Sequence, residues 1–179
     1  LLASMFPLLP LTLMGLLLAV MPPRIMLTEH VAKSGQLSDT SGRPVQSPLP
    51  ADRIVMFPPV LWEYLAVQRD AGRLAAVTES ILDIAGKSVL GWAHPALFEI
   101  QTVVTRGVRT AAPGDPEDVM RHHPDAVLSW DWLSEGLEAV GIPVVHLALN
   151  AKNRGDDVHT NDIANVRVMA ALTGEGERG

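Results

Sequence analysis

Apolar residues along the chain fall into short blocks bounded by proline, glycine or charge, and the blocks switch between strand-like and helix-like periods. Arg53-Ile54-Val55-Met56-Phe57 is a run of strand length stopped by Pro58-Pro59, after which Trp62, Leu65 and Ala66 stand at helical spacing. Gly72 closes that helix and Leu74 to Thr78 form a second strand, so residues 53–78 read as a βαβ unit. The stretch from Pro116 to Asn150 repeats the scheme. A helix over Pro116 to His123 leads through Pro124-Asp125 into the apolar run Ala126 to Ser129. Leu133 to Val140 then carry apolar residues at helical spacing, Gly141-Ile142-Pro143 end that helix, and Val144 to Leu149 form another strand. Between the two units the pattern predicts helices over Ile81 to Leu90 and Pro95 to Arg106 and a short third strand at Val108 to Ala111. A last helix, capped by Asn161 or Asp162, carries Ile163, Val166, Met169, Ala170 and Leu172 and ends at Thr173-Gly174.

Strands alternating with helices predict an α/β fold, a Rossmann-like three-layer lobe with a mainly parallel sheet of about five strands, near Ile54, Ala75, Arg109, Val127 and Val144. Right-handed crossovers bring the loops after successive parallel strands to one edge, where ligands of such sheets bind. The loops that reach this edge are Pro58 to Trp62, Glu79-Ser80 and Trp130-Asp131-Trp132. Aromatic faces beside a carboxylate suit a bulky planar, catecholic or cationic ligand. Pro59, Trp62, Glu79, Ser80, Trp130, Asp131 and Trp132 are therefore the candidate ligand-binding residues. Two alternatives stand beside this one: Asp131 as a helix N-cap, and one tryptophan of its loop packed beneath the following helix. Trp62 and Trp92 either complete an aromatic wall or pack in the core, the preferred place for each.

Taken together, Glu117, Pro124-Asp125, Ala126-Val127-Leu128 and Gly141 to Val145 resemble, in order and spacing, a class of bacterial ABC-importer receptors. Those receptors bind iron-siderophores, haem, cobalamin or bare metal ions between two lobes joined by a long helix. The likeness runs from about Arg53 to the end of the chain and includes the Arg53-Ile54-Val55 strand, its proline turn and the helix-borne Glu63. It implies that residues 53–179 are an amino-terminal lobe ending at the start of the interlobe helix, which in the family follows a Leu-Thr-Gly like that at 172–174. About half of a complete receptor would then lie outside this sequence. The resemblance further implies a substrate-binding component that captures an iron chelate, haem or cobalamin and delivers it to an ABC permease in the cytoplasmic membrane. Glu117 matches the family's exposed carboxylate that meets an arginine of the permease, and an acidic residue in a helix's first turn is favoured by the helix dipole in any case. The alternative is a membrane-tethered or secreted Rossmann-like interaction domain without a transport role.

Composition narrows the choice. Of 179 residues, 47% are hydrophobic and 19% charged, enough apolar surface to offset chain entropy in one well-cored domain. A net charge of -6 without a basic cluster argues against a nucleic-acid partner. The absence of cysteine removes disulfides, thiolate metal sites and a lipidated amino-terminal cysteine. Leu8 to Val20 make residues 1–21 a signal peptide or, alternatively, a signal anchor, which places the mature domain in the periplasm; a chain that begins at Leu suggests a start further upstream. Residues 22–52, rich in Ser, Gly, Pro and charge, read as a linker or extended arm and are expected to be mobile.

His30, His94, His122, His123, His146 and His159 show no metal-binding spacing, so neither a metal nor a cofactor is expected. No nucleophile elbow, phosphate loop or dinucleotide turn is present, and Gly86-Lys87-Ser88 lacks the upstream glycine of a phosphate loop. Glu79 and Asp131 are a carboxylate pair that nothing in the sequence assigns to chemistry. The reading is a binding protein, not an enzyme.

Overall fold

A computed structural model of the protein describes residues 36–57, 60–69, 71–103, 115–130, 134–148 and 158–176. Five strands form one sheet: β1 (Ile54–Met56), β2 (Leu74–Thr78), β3 (Gln101–Val103), β4 (Ala126–Ser129) and β5 (Val144–His146). Their order is β3-β2-β1-β4-β5, and every pairing is parallel. The helices are α1 (Leu61–Gln68), α2 (Glu79–Gly86), α3 (Val89–Ala93), α4 (Pro116–Arg121), α5 (Glu135–Glu138) and α6 (Val158–Leu172), with a 3-10 turn at Pro95–Glu99.

The layers follow from handedness. The chain steps outward from β1 to β2 to β3, returns past β1 to β4, and steps outward again to β5. Right-handed crossovers taken in opposite directions place their helices on opposite faces. Accordingly, Ile54, Met56, Val77, Leu128 and Val145 pack in one cluster with Leu61, Leu65, Ile81, Met169 and Leu172 from α1, α2 and α6. Val55, Phe57, Val103 and Val127 point the other way, into a cluster with Val119 of α4, Leu137 of α5 and Ile142. All residues of β1 and β4 are buried, which is why both read as continuous apolar runs rather than alternating ones. Each large side chain taken fully into these clusters is worth about 1.5–3 kcal/mol of transfer free energy.

Four expectations are corrected here. The third strand is Gln101–Val103, inside the stretch expected to be the helix Pro95 to Arg106; the expected strand at Val108 to Ala111 lies outside the described residues. The β-branched residues Ile100, Thr102 and Val103 favour extended backbone once β2 offers a partner edge. Helix α1 is stopped not at Gly72 but at Arg69, which takes the left-handed conformation (φ 60°) and donates its N–H to the Leu65 carbonyl at 2.8 Å. Helix α6 begins at Val158, so Asn161 and Asp162 lie within it rather than capping it. Lastly, residues 36–52, expected to be mobile, lie against the lobe: Leu37, Val45 and Ala51 are buried, and Ala51 N–H donates to Leu172 O at 2.8 Å.

Candidate functional site

In a sheet of this order the switch point lies between β1 and β4, and ligands of such sheets bind outside the carboxyl ends of the strands at that point. β1 delivers Phe57 there, its N–H donating to Leu128 O at 3.1 Å and its side chain buried. β2 ends at buried Thr78, whose hydroxyl is 2.9 Å from the Ser80 hydroxyl and 3.5 Å from Phe57 O. Glu79 and Ser80, in the first turn of α2, are exposed at that edge. β4 ends at buried Ser129, which donates from Oγ to the carbonyl of half-buried Trp130 at 3.2 Å. Beyond β5, Ala148 is held by the buried amide of Asn165 on α6: its N–H donates to Oδ1 at 2.8 Å and its carbonyl accepts from Nδ2 at 3.1 Å.

The fold thus brings Glu79, Ser80 and Trp130 to one edge, on the two sides of β1. Pro59, Asp131 and Trp132 lie outside the described residues. Trp62 stands in the first turn of α1 on the same edge and is 54% exposed. Trp92, on α3, is 85% exposed. The core placement preferred for these two tryptophans is corrected. Helix α1 buries Leu61, Tyr64 and Leu65 and α3 buries Leu90 and Gly91, and both tryptophans fall off those stripes. Glu117 is exposed in the first turn of α4, where Asp115 Oδ1 caps its N–H at 3.0 Å.

Two polar groupings escaped the sequence reading. Asn165 is a buried amide in an otherwise apolar helical stripe, an irregularity that marks a backbone clamp. The second joins distant segments: buried His146 Nε2 lies 2.7 Å from Ser134 Oγ and 3.3 Å from Glu138 Oε1, and Glu138 also accepts from Arg43 Nη1 at 2.8 Å. This is not a nucleophilic triad, because serine and carboxylate approach the same ring nitrogen and Ser134 is 1% exposed. Among the described residues, no three His, Asp or Glu side chains are placed to hold a metal ion.

Electrostatics is perturbed at Glu63, on α1. Burial pushes its carboxyl above the usual range, the neighbouring Asp162 carboxylate pushes it further, and a backbone hydrogen bond opposes both. Two surface concavities, about 550 and 400 Å³, lie at the opposite, amino edge of the sheet. The first is lined by Arg53, Leu74, Ile100 and Gln101 and the second by His123, Pro124, Gly141 and Pro143, so both are separate from the β1–β4 switch point. No helix among the described residues is long and apolar enough to cross a membrane.

Comparison with solved structures finds this architecture in periplasmic solute-binding proteins. A periplasmic solute-binding protein from Veillonella parvula superposes with a TM-score of 0.66 at 19% identity, over 79% of this chain and 41% of that one. The molybdate periplasmic binding protein MolA of a Haemophilus influenzae ABC transporter, solved with molybdate bound, gives 0.64 at 14% identity, over 80% of this chain and 47% of its own. The FhuD protein from S. pseudintermedius gives 0.53 at 16% identity, over 80% and 44%. The chain spans less than half the length of each of these proteins. No protein-family model and no curated protein matches the sequence. The parallel α/β lobe therefore shares the fold of one portion of each of these proteins.

Proposed function

We propose that the chain is the amino-terminal lobe of the substrate-binding component of an ABC importer, working in the periplasm behind a signal peptide. The observation that carries this reading is the carboxyl edge of the sheet, where exposed Glu79 and Ser80 and half-buried Trp130 flank the β1–β4 switch point in a fold shared with solute-binding proteins. A second lobe closing over this edge completes the crevice, and Trp130, with Trp62, Pro59, Asp131 and Trp132, supplies its aromatic and acidic wall. An iron chelate, haem or cobalamin suits such a wall, since a large planar or cationic ligand gains from aromatic faces beside a carboxylate. Exposed Glu117 docks the loaded receptor on its permease, setting register and encounter rate more than affinity.

The test is titration of the complete two-lobed chain with iron-siderophores, haem, cobalamin and molybdate, monitored by tryptophan fluorescence. Trp130→Ala is expected to weaken binding of the cognate ligand at least tenfold, about 1.4 kcal/mol, without changing the melting curve. Unchanged affinity for every ligand that binds would remove Trp130 from the site.

A further inference from the structure

Residues Leu37 to Val45 form a hairpin bonded chiefly to itself. Val45 N–H donates to Leu37 O at 2.8 Å, Asp39 N–H to Arg43 O at 2.9 Å and Gly42 N–H to Asp39 O at 3.0 Å, while Ser38 and Pro44 pair antiparallel. Asp39 Oδ1 accepts the N–H groups of Ser41 and Arg43, both at 2.9 Å, and its Oδ2 faces the Arg43 guanidinium at 3.2 Å. Gly42 turns the tip with φ +79°, a conformation that costs glycine little.

This hairpin meets the lobe at the free edge of β5. Along that strand alternate residues direct their backbone groups inward and outward: Leu147 N–H turns to Ser129 O of β4 at 2.8 Å, and His146 turns away from it. An outward-facing group on an edge strand is an invitation to pairing. Here His146 N–H donates to Asp39 Oδ2 at 3.3 Å, and His146 O accepts from Thr40 N–H at 3.2 Å and Thr40 Oγ1 at 2.8 Å. Among the described residues, further ties are the Arg43–Glu138 pair at 2.8 Å, whose side chains are 40% and 36% exposed, and the buried side chains of Leu37 and Val45, which belong to the cluster of Ile54 and Met56.

We propose that residues 37–45 are a detachable cap on the β5 edge, opening as one unit ahead of the rest of the lobe. The geometry favours concerted release because lifting the hairpin leaves its internal bonds intact, and the buried Asp39 carboxylate departs with Arg43, its own counter-charge. Among the described residues, the hairpin's backbone bonds to the lobe centre on one strand residue, His146. The chain after the hairpin stays anchored, through Ser47 Oγ to Asp125 O at 2.8 Å and Ala51 N–H to Leu172 O at 2.8 Å. Once free, a two-stranded hairpin is marginal in water and unravels, so its amides and those it covers share one opening free energy.

Site-resolved amide hydrogen exchange on the full chain tests the cap. Thr40, Val45 and His146 are expected to exchange through a common opening, roughly 100-fold faster than Val127 and Leu147, whose N–H groups are bonded within the sheet. Glu138→Gln weakens the tie to α5 while leaving the hairpin's own pairs in place, and should speed the first group several-fold without moving the second. Arg43→Met, which also strips Asp39 of its counter-charge, should speed it further. Exchange of His146 at the rate of Leu147, or a Glu138→Gln effect spread equally over both groups, would overturn the proposal by making the hairpin part of the cooperative core.

Discussion

Asn165→Ala isolates the clamp that fixes the chain as it leaves β5 for α6. The asparagine amide is 1% exposed and makes both bonds to one residue, accepting from Ala148 N–H at 2.8 Å and donating to Ala148 O at 3.1 Å. A net hydrogen bond contributes about 0.5–1.5 kcal/mol, so the pair is worth about 1–3 kcal/mol. Half-buried Ala148 is partly reached by water after truncation, which keeps the loss near about 2 kcal/mol rather than the full cost of two stranded backbone groups. With a urea dependence of about 2 kcal/mol per molar, the unfolding midpoint should fall by about 1 M with an unchanged slope. Amide exchange at Ala148 should rise in parallel, because its acceptor is gone. A midpoint shift below about 0.25 M, with Ala148 still protected, would show that this connection is held by other contacts and that the clamp carries little of it.

Glu63→Gln should stabilise the protein near neutral pH. The carboxyl is pushed up by burial and by Asp162, so the folded state binds its proton more readily than the unfolded chain; that contribution is fully present in acid and is lost as pH rises through the folded value. The gain from the neutral amide should accordingly shrink as pH falls below the ordinary carboxylate range, and urea melts across that range read it directly. Gly91→Ala should destabilise by about 1–3 kcal/mol, since a Cβ there meets the Ala85 carbonyl oxygen at 2.5 Å and Phe98 Cζ at 2.8 Å, and only the half-exposed ring can move aside. Gly136→Ala, where a Cβ meets nothing within 4 Å, should instead stabilise by about 0.5–1 kcal/mol, and thermal melts of the two variants separate steric from conformational effects.

Four of the five strands were legible as residues because each is an apolar run closed by proline, glycine or charge, and a strand buried on both faces has to be continuous. The alternation with helices likewise settled a parallel α/β lobe, and with it the rule that ligand-facing loops follow the strands. What the chain alone did not decide is who neighbours whom. β3 is an edge strand with Gln101 and Thr102 exposed, so its local pattern was as good for a helix, and only the unpaired side of β2 made it a strand. Trp62 and Trp92 are apolar by composition and suited to a core, but the helices carrying them found enough burial with other residues and left both outside. The segment around Asp39 looked like a solvated linker because it is rich in Ser, Gly, Pro and charge and carries no sustained apolar periodicity. Its carboxylate is buried because His146, more than a hundred residues away, turns an outward-facing backbone N–H toward it, and such a match exists only after the sheet has formed its edge.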